Sequence, residues 1–479
     1  MLNRREFLGS TAIPACAIAA GAASALQRGA TGAPQAAGAS GRAPALAALG
    51  AMAGDARDAG TIARDEDFWF RVQQAFTVDR SVVNLNNGGV SPSPAIVQDA
   101  QRRHQEFCNT LPPPRALWTL LEPQREGVRE RLARGWGVSA EEIALTRNAS
   151  ESLQICQLGF DLEPGDEVLT TTVDYPRMIT TFKQRERRDG IVLRQFKVPI
   201  PCEDHDAIVR LFAENITPRT RLILMSHVVN ITGQIMPVKE VVAMARTRNR
   251  DAAPRARRGR DGAGEAGGAA PTGIPVIVDG AHAFAHMDYR LSDLECDYYG
   301  VSLHKWLAAP HGTGLLYVRR ERIRDLWPMM AAGDSLAGDI RKFEEIGTHP
   351  VALTRRSPAL TLHETIGGAR KEARLRYLRD RWAQRLLDSP LGRGRVRLHT
   401  SLKPAFSCGI ATMQVDGIDS ARLAEWLIGP AARHHILVTA IKHDEFEGIR
   451  VTPNVYTTLE EIDRFTDAIE QAMRDGLPS

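Results

Sequence analysis

Cysteine is scarce in this 479-residue chain, and its placement excludes more than it suggests. The six thiols (Cys16, Cys108, Cys156, Cys202, Cys296, Cys408) form no C-x-x-C pair and no metal-type spacing. A zinc ribbon and a thioredoxin-like redox motif are therefore ruled out. Cys156 and Cys408 lie in apolar surroundings and read as core thiols. No segment beyond the N-terminus approaches the ~18 uninterrupted apolar residues of a membrane-spanning helix. An excess of charge of one sign is also nearly missing. The formal net charge is +4, and its source is local: seven arginines between Arg246 and Arg260, against Asp251, Asp261 and Glu265 in the surrounding insert. Without residues 246–265 the chain is formally neutral, which excludes the extended basic field of a nucleic-acid-binding protein. What remains is ordinary globular material, 43% apolar and 25% charged. It is too long for one ordinary domain and suits a large α/β enzyme domain with a smaller partner.

The N-terminus "NRREFLGSTAIPACAIAAGAASALQ" has Arg4 and Arg5, then Phe7 and Leu8, then a modestly apolar run ending in Ala-Ser-Ala. That is the order of a charged region, an apolar region and a small-residue cleavage zone. It resembles a twin-arginine export signal, with Asn3 where Ser or Thr is usual. The resemblance implies a signal over residues 1–27, the twin-arginine export machinery as a partner, and a periplasmic mature protein with no membrane attachment. Residues 28–65, rich in Ala, Gly and Pro, read as a disordered leader. Order is expected from "DEDFWFRVQQAF", where Phe68, Trp69, Val72 and Phe76 recur at helical spacing.

From Val82 to Val318, β-branched runs alternate with helical patterns: "EVLTTTVDY", "IVLRQFKV", "RLILMSHVV", "IPVIVDGA", "DYYGVSLH" and "GLLYVRR". The alternation predicts a largely parallel sheet covered on both faces. Residues 66–340 would form this large domain, interrupted by a low-complexity surface insert at 249–272. Within the insert, Gly262, Gly264 and Gly267 satisfy G-x-G-x-x-G, but no strand precedes them and Pro271 follows, so no dinucleotide site is expected. Residues 341–479 predict a smaller α+β domain. It has a long helix, "ETIGGARKEARLRYLRDRWAQRLL", short strands, and a last helix capped by Thr457 or Thr458.

The chemistry concentrates in "GVSLHKWLAAPHGTGLLYV", where Lys305 sits in an apolar, glycine-rich passage. A desolvated lysine loses basicity and becomes a usable amine. Asp279 ends the buried strand "IPVIVD", and ligands of open parallel sheets sit at strand C-terminal ends. "TRNASESLQ" places Asn148, Ala149, Ser150 and Glu151 at a strand-to-helix junction that favours an anion. Taken singly, these read as a snorkelling lysine, a capping aspartate and a capping box. Together they supply an amine for an aldehyde, a carboxylate for a pyridinium nitrogen and a phosphate site, which is what pyridoxal 5'-phosphate requires. His282 and His286 are four apart, but no Glu follows His282 as in H-E-x-x-H, so no metal is expected.

"DGAHAFAH", "SLHKWLAAPHGTG" and "GIRVTPNVYTTLEEID" resemble the class V aminotransferase family of fold-type-I pyridoxal phosphate enzymes, over residues ~80 to ~470. That family includes cysteine desulfurases and isopenicillin N epimerases; "HKWLAAP" and "RLRYLRDRW" look most like the epimerase-like branch. The resemblance implies an α/β fold with a mostly parallel, seven-stranded sheet between helices, plus the smaller C-terminal domain. It further implies that Lys305 binds the cofactor aldehyde and Asp279 pairs with the ring nitrogen. Ala149 and Ser150, with Ser302 and His304, would hold the phosphate. Tyr175 would stack on the ring, Asn230 would reach its hydroxyl, and His282 would lie near it. Arg450 would grip the substrate carboxylate, with Asn87 and Gly88 lining the entrance. Thr348 would complete the phosphate site of a second subunit, which implies a homodimer with shared active sites. The sulfur-accepting cysteine of desulfurases has no counterpart in "HHILVTAIKHDEFEG". The expected activity is therefore an epimerase- or aminotransferase-type reaction on a small α-amino acid or derivative. A C–S lyase and a non-catalytic binding protein that retains the fold are the alternatives.

Overall fold

Short β-branched runs, joined by amphipathic helices, build the central sheet of the computed structural model, which describes residues 52–248, 272–349, 357–429 and 434–478. The signal at 1–27 lies outside the described residues, as does the insert apart from Thr272. In chain order the strands are β1 Val83–Asn84, β2 Ile143–Thr146, β3 Glu167–Thr171, β4 Val192–Phe196, β5 Thr220–Ser226, β6 Val276–Asp279 and β7 Tyr298–Ser302. They continue with β8 Gly314–Val318, β9 Val396–Leu398, β10 Ala411–Val415, β11 Ile436–Leu437, β12 Thr439–Lys442 and β13 Glu447–Val451.

The large sheet has seven strands in the order β2-β8-β7-β6-β5-β3-β4. β3 to β7 pair in parallel, whereas β8 runs antiparallel to both of its neighbours. Parallel neighbours need crossovers, and the helices Pro176–Asp189, His205–Asn215 and Val238–Thr247 supply them. Alternate side chains enter two different cores. Val276 and Val278 face one with Ile223 and Met225, while Ile277 faces the other with Leu222 and Leu224. Burial on both faces is why these strands read as continuous apolar runs. Parallel register also lines up their ends: Ser226 pairs with Asp279, and Asp279 with Gly300.

A second, antiparallel sheet, β12-β13-β10-β9, carries its own core, with Trp382, Met413, Val451, Phe465 and Ile469. This layer draws on more than residues 341–479. Val83 and Leu85 are buried in the same core, and β1 pairs in parallel with β11. Leu360 and Leu375 lie instead in a core of the large sheet, and Leu49–Ser479 forms one compact unit. The long predicted helix is broken at Gly367, whose φ of 92° suits glycine, into Ser357–Ile366 and Gly368–Asp388. Thr458 caps the last helix in a capping box with Glu461.

Order also begins before the predicted "DEDFWF". The helix Ala59–Ala63 is capped by Asp58, and Ile62 is buried. Trp69 donates its indole N–H to the Ile62 carbonyl at 2.7 Å, and the buried Arg374 holds both the Ala63 carbonyl and Glu66. The Arg374 contacts come from a helix some 300 residues away in sequence, so composition gave no sign of them.

One buried ion cluster fastens the edge of the large sheet. Arg129 is fully buried, its Nη1 lies 2.6 Å from Glu344 Oε1, and the Leu145 N–H of β2 donates to the same oxygen at 2.6 Å. Breaking a buried pair strands a desolvated charge. Arg129→Met is expected to lower stability by about 3 kcal/mol, the low end for such a loss, because Arg125 Nη1 remains 3.4 Å from Glu344. Urea unfolding measures it, and an unchanged midpoint would contradict the clamp.

Candidate active site

The aligned C-terminal ends of β5, β6 and β7 open onto a cavity of about 220 Å³. Ala149 and Ser150 line it from the helix that follows β2, and Tyr175 from the segment after β3. Asn230, Asp279, His282, Ser302, His304 and Lys305 complete the predicted residues in its wall. Each is delivered by a strand end, the place where a parallel sheet has no further backbone partner to offer.

One end of the cavity is built for an anion. Ala149 begins the helix and donates its N–H to Ser302 Oγ at 2.9 Å, while the Asn148 side chain accepts from the Glu151 N–H at 2.9 Å. Ser150 lies between them, at the positive end of an eleven-residue helix. His304 is oriented by a bond from Nδ1 to the Thr313 carbonyl, 3.1 Å. β8 can pass this close only because it starts on glycine: a Cβ on Gly314 would lie 2.6 Å from the Asn148 backbone.

The opposite side is governed by desolvation. Burial pushes the Lys305 amine down to about 8, against the attraction of Asp279. Burial pushes Asp279 up to about 6, although the Ala281 N–H donates to its Oδ1 at 2.9 Å and Lys305 draws it back down. Lys305 Nζ lies 3.0 Å from His282 Nε2. Burial, with Lys305 and Arg450 nearby, holds His282 well below its ordinary value, so its ring is neutral and accepts from the lysine. Asn230 Oδ1 and His282 Nδ1 are buried without a partner among the described residues. Such atoms are rare in a folded interior. They belong to residues of the same wall as the amine, the carboxylate and the helix start, and this donor set fits pyridoxal phosphate.

Other predicted residues lie elsewhere. Arg450 is buried outside the cavity wall, with Nη1 donating to the Asn230 carbonyl and Nη2 to Asn86 Oδ1, each at 2.9 Å. Burial lowers its guanidinium to about 10. Asn87 is a correction: its side chain does not face the entrance. Its Nδ2 donates to the Asn84 and Thr452 carbonyls and its Oδ1 accepts from Tyr456 Oη, so the amide is used up in joining β1 to the region after β13. Gly88 donates its N–H to Thr452 Oγ1, and it is Gly89 that reaches the cavity. Thr348 is exposed and is not in the wall. His286 cannot serve a metal in this arrangement. Nδ1 donates to the His282 carbonyl at 2.7 Å, Nε2 accepts from the Gly409 N–H at 2.9 Å, and the ring stacks on Trp306.

The cavity also contains residues that the sequence reading passed over. Ser226 ends β5 beside Asp279, and Arg177 and Val228 line the wall. The end of "RLILMS" was itself the signal for Ser226, since strand C-termini are where such sites form; its pairing with Asp279 is a tertiary fact. Arg177 sits two positions after Tyr175 in "DYPRM", in the first turn of a helix.

Comparison with known proteins accords with this arrangement. The family model described as Aminotransferase class-V matches residues 117–253 and 267–465. An isopenicillin N epimerase of Streptomyces clavuligerus is 29% identical over 427 residues, covering 84% of this chain and 98% of that protein. A probable cysteine desulfurase of Pseudomonas aeruginosa is 26% identical over 366 residues, covering 73% and 82%. Among solved structures, a cystine C–S lyase in complex with its product cysteine persulfide shares the fold, with a TM-score of 0.69 at 23% identity, covering 83% and 99%. With the family model running through both the large sheet and the second layer, the chain belongs to the class V aminotransferase family of pyridoxal 5'-phosphate enzymes.

Proposed function

We propose that this enzyme moves the α-proton of an amino acid or amino-acid derivative, as an epimerase or an aminotransferase does, with Lys305 as the proton carrier. The bound cofactor supplies the electron sink that acidifies the α-C–H. The observation that carries the reading is the desolvated Lys305 amine, at about 8, within 3.0 Å of a neutral His282. An amine of that basicity both takes and returns a proton near neutral pH. His282 aims it by accepting one of its hydrogens. Asp279 is assigned to the ring nitrogen, Asn230 to the ring hydroxyl, and Tyr175 to one face of the ring. Ser150 and Ala149, with Ser302 and His304, are assigned to the phosphate. Arg450 would turn its fork from Asn86 to the substrate carboxylate.

The long coverage of an isopenicillin N epimerase supports epimerisation. A desulfurase-type sulfur transfer needs a reactive thiol at the site, but among the described residues no cysteine lines this cavity. Burial pushes the Cys408 thiol up to about 12 and raises Cys156 as well, which makes both inert. We further assign Thr348 to the phosphate site of a second copy in a homodimer, and export to the twin-arginine route.

In D2O, a panel of amino acids is expected to show α-hydrogen exchange by NMR without sulfide release. Lys305→Ala should lose exchange by about 10²- to 10⁴-fold; rapid sulfide release from cysteine or cystine would instead favour the lyase alternative. The lysine must be neutral to capture the cofactor aldehyde, and its value is lowered from 10.5 to about 8. Capture of pyridoxal phosphate by apo-protein, followed by absorbance, should therefore speed up about tenfold per pH unit below 8 and level off above it. A rate still climbing tenfold per unit between pH 9 and 10 would mean the amine is not desolvated. Replacing Arg4 and Arg5 with lysine should hold the protein in the cytoplasm on cell fractionation, and undiminished export would remove the twin-arginine assignment.

A further inference from the structure

Behind Tyr175 lies a second buried carboxylate that neither the motifs nor the proposed chemistry uses. Asp174 is 4% exposed. Its Oδ2 accepts from Thr170 Oγ1 at 2.8 Å, from the Thr171 N–H at 3.0 Å and from Thr171 Oγ1 at 2.8 Å. Its Oδ1 accepts from the Ser226 N–H at 2.6 Å and from Ser226 Oγ at 2.8 Å. All five contacts bring hydrogens to the oxygens, an arrangement that serves an ionised carboxylate, which only accepts. Among the described residues no lysine or arginine pairs with it. Tying the end of β3 to the end of β5 needs acceptors but not a net charge, so the charge itself needs an explanation.

Its neighbour provides one. Ser226, which binds Asp174 through both its N–H and its hydroxyl, is the register partner of Asp279. The two carboxylates thus converge on one residue at the same end of the sheet, Asp174 through its bonds to Ser226 and Asp279 as the register partner of Ser226. Like charges held this close in a desolvated site repel unless a cation belongs beside them. We propose that Asp174 is a positioning residue of the cofactor site, whose buried charge acts through Asp279 to keep the cofactor's ring nitrogen protonated.

The other groups around Asp279 are neutral near pH 7. From β5, His227 donates its backbone N–H to the Asp279 carbonyl; burial holds its imidazole at about 3, and Nδ1 bonds Tyr299 Oη at 2.8 Å. From β7, Tyr299 fills the space that Gly280 leaves open, where a Cβ would lie 1.8 Å from the ring, and its hydroxyl bonds Tyr289 Oη at 2.6 Å. Burial raises both phenols. Beyond Asp279 in its own chain come the Ala281 N–H and the neutral His282. Among the described residues, Lys305, which draws the Asp279 proton off, and Asp174, which pushes it on, act on Asp279 as charges.

The inference rests on the assignment of Asp279 to the ring nitrogen, and the experiment separates the two. In the cofactor-loaded protein, Asp174→Asn keeps the size, removes the charge and turns one of the two accepting oxygens into an NH2 donor. The pH midpoint of the visible absorption band should fall by about one unit, and cofactor affinity by about tenfold. A purely structural role would lower the melting temperature and leave the midpoint in place. A folded Asp174→Asn protein with unchanged midpoint and affinity overturns the inference. If that variant does not fold, Ser226→Ala removes a donor and leaves the charge less screened, so the midpoint should rise; a midpoint that stays or falls overturns it equally. Asp279→Asn is the control. If it too leaves affinity and midpoint unchanged, the assignment of Asp279 has failed. If it alone shifts them, only the role of Asp174 has.

Discussion

The attraction between a buried lysine and a buried aspartate, set against the cost of desolvating both, governs this active site. Neither charge is comfortable. Burial makes Lys305 a weaker base and Asp279 a weaker acid, and each moderates the other's shift. A pair balanced in this way holds its proton loosely, which suits groups that must bind a cofactor and move protons. The neighbouring histidines follow the same rule, since burial leaves His227, His282 and His286 uncharged and free to orient their partners.

The large sheet makes that balance possible. Ser226, Asp279 and Ser302 come from three adjacent strand ends, and the register that pairs Ser226 with Asp279 and Asp279 with Gly300 is fixed by apolar side chains facing opposite cores. The second layer contributes Arg450, which we assign to the substrate carboxylate. Arg450 sits on β13 and reaches Asn86, just beyond β1, while Thr452 holds Asn87 and Gly88 in place. Because β1 pairs with β11, the segment at 83–89 is built into the layer formed by the end of the chain. The Arg450–Asn86 contact therefore joins residues that lie some 360 positions apart.

Much of this was legible in the sequence because strands buried on both faces leave unbroken β-branched runs. Lys305, Asp279 and the "NASES" helix start were legible for a related reason: each is polar where its surroundings are not. The misreadings share a cause as well. Asn87 is polar and lies in a glycine-rich loop, which suggests a ligand contact, yet its amide is consumed by Asn84, Thr452 and Tyr456. The leader was drawn too long because Ile62 and Ala63 are buried only against Trp69 and a distant helix, a contact that composition does not reveal.

The sequence by itself determined the order of strands and helices and the family, and it singled out the Lys305 amine, the Asp279 carboxylate and the helix start at Asn148 as candidates. Those are local properties, set by periodicity, capping and a polar residue in an apolar run. Tertiary structure alone decided that Ser226 and Asp174 stand beside Asp279, that Arg450 is held behind Asn230, and that Val83 and Leu85 share a core with the C-terminal layer. Proximity between strands depends on register, and register is a property of the folded sheet that no single segment carries.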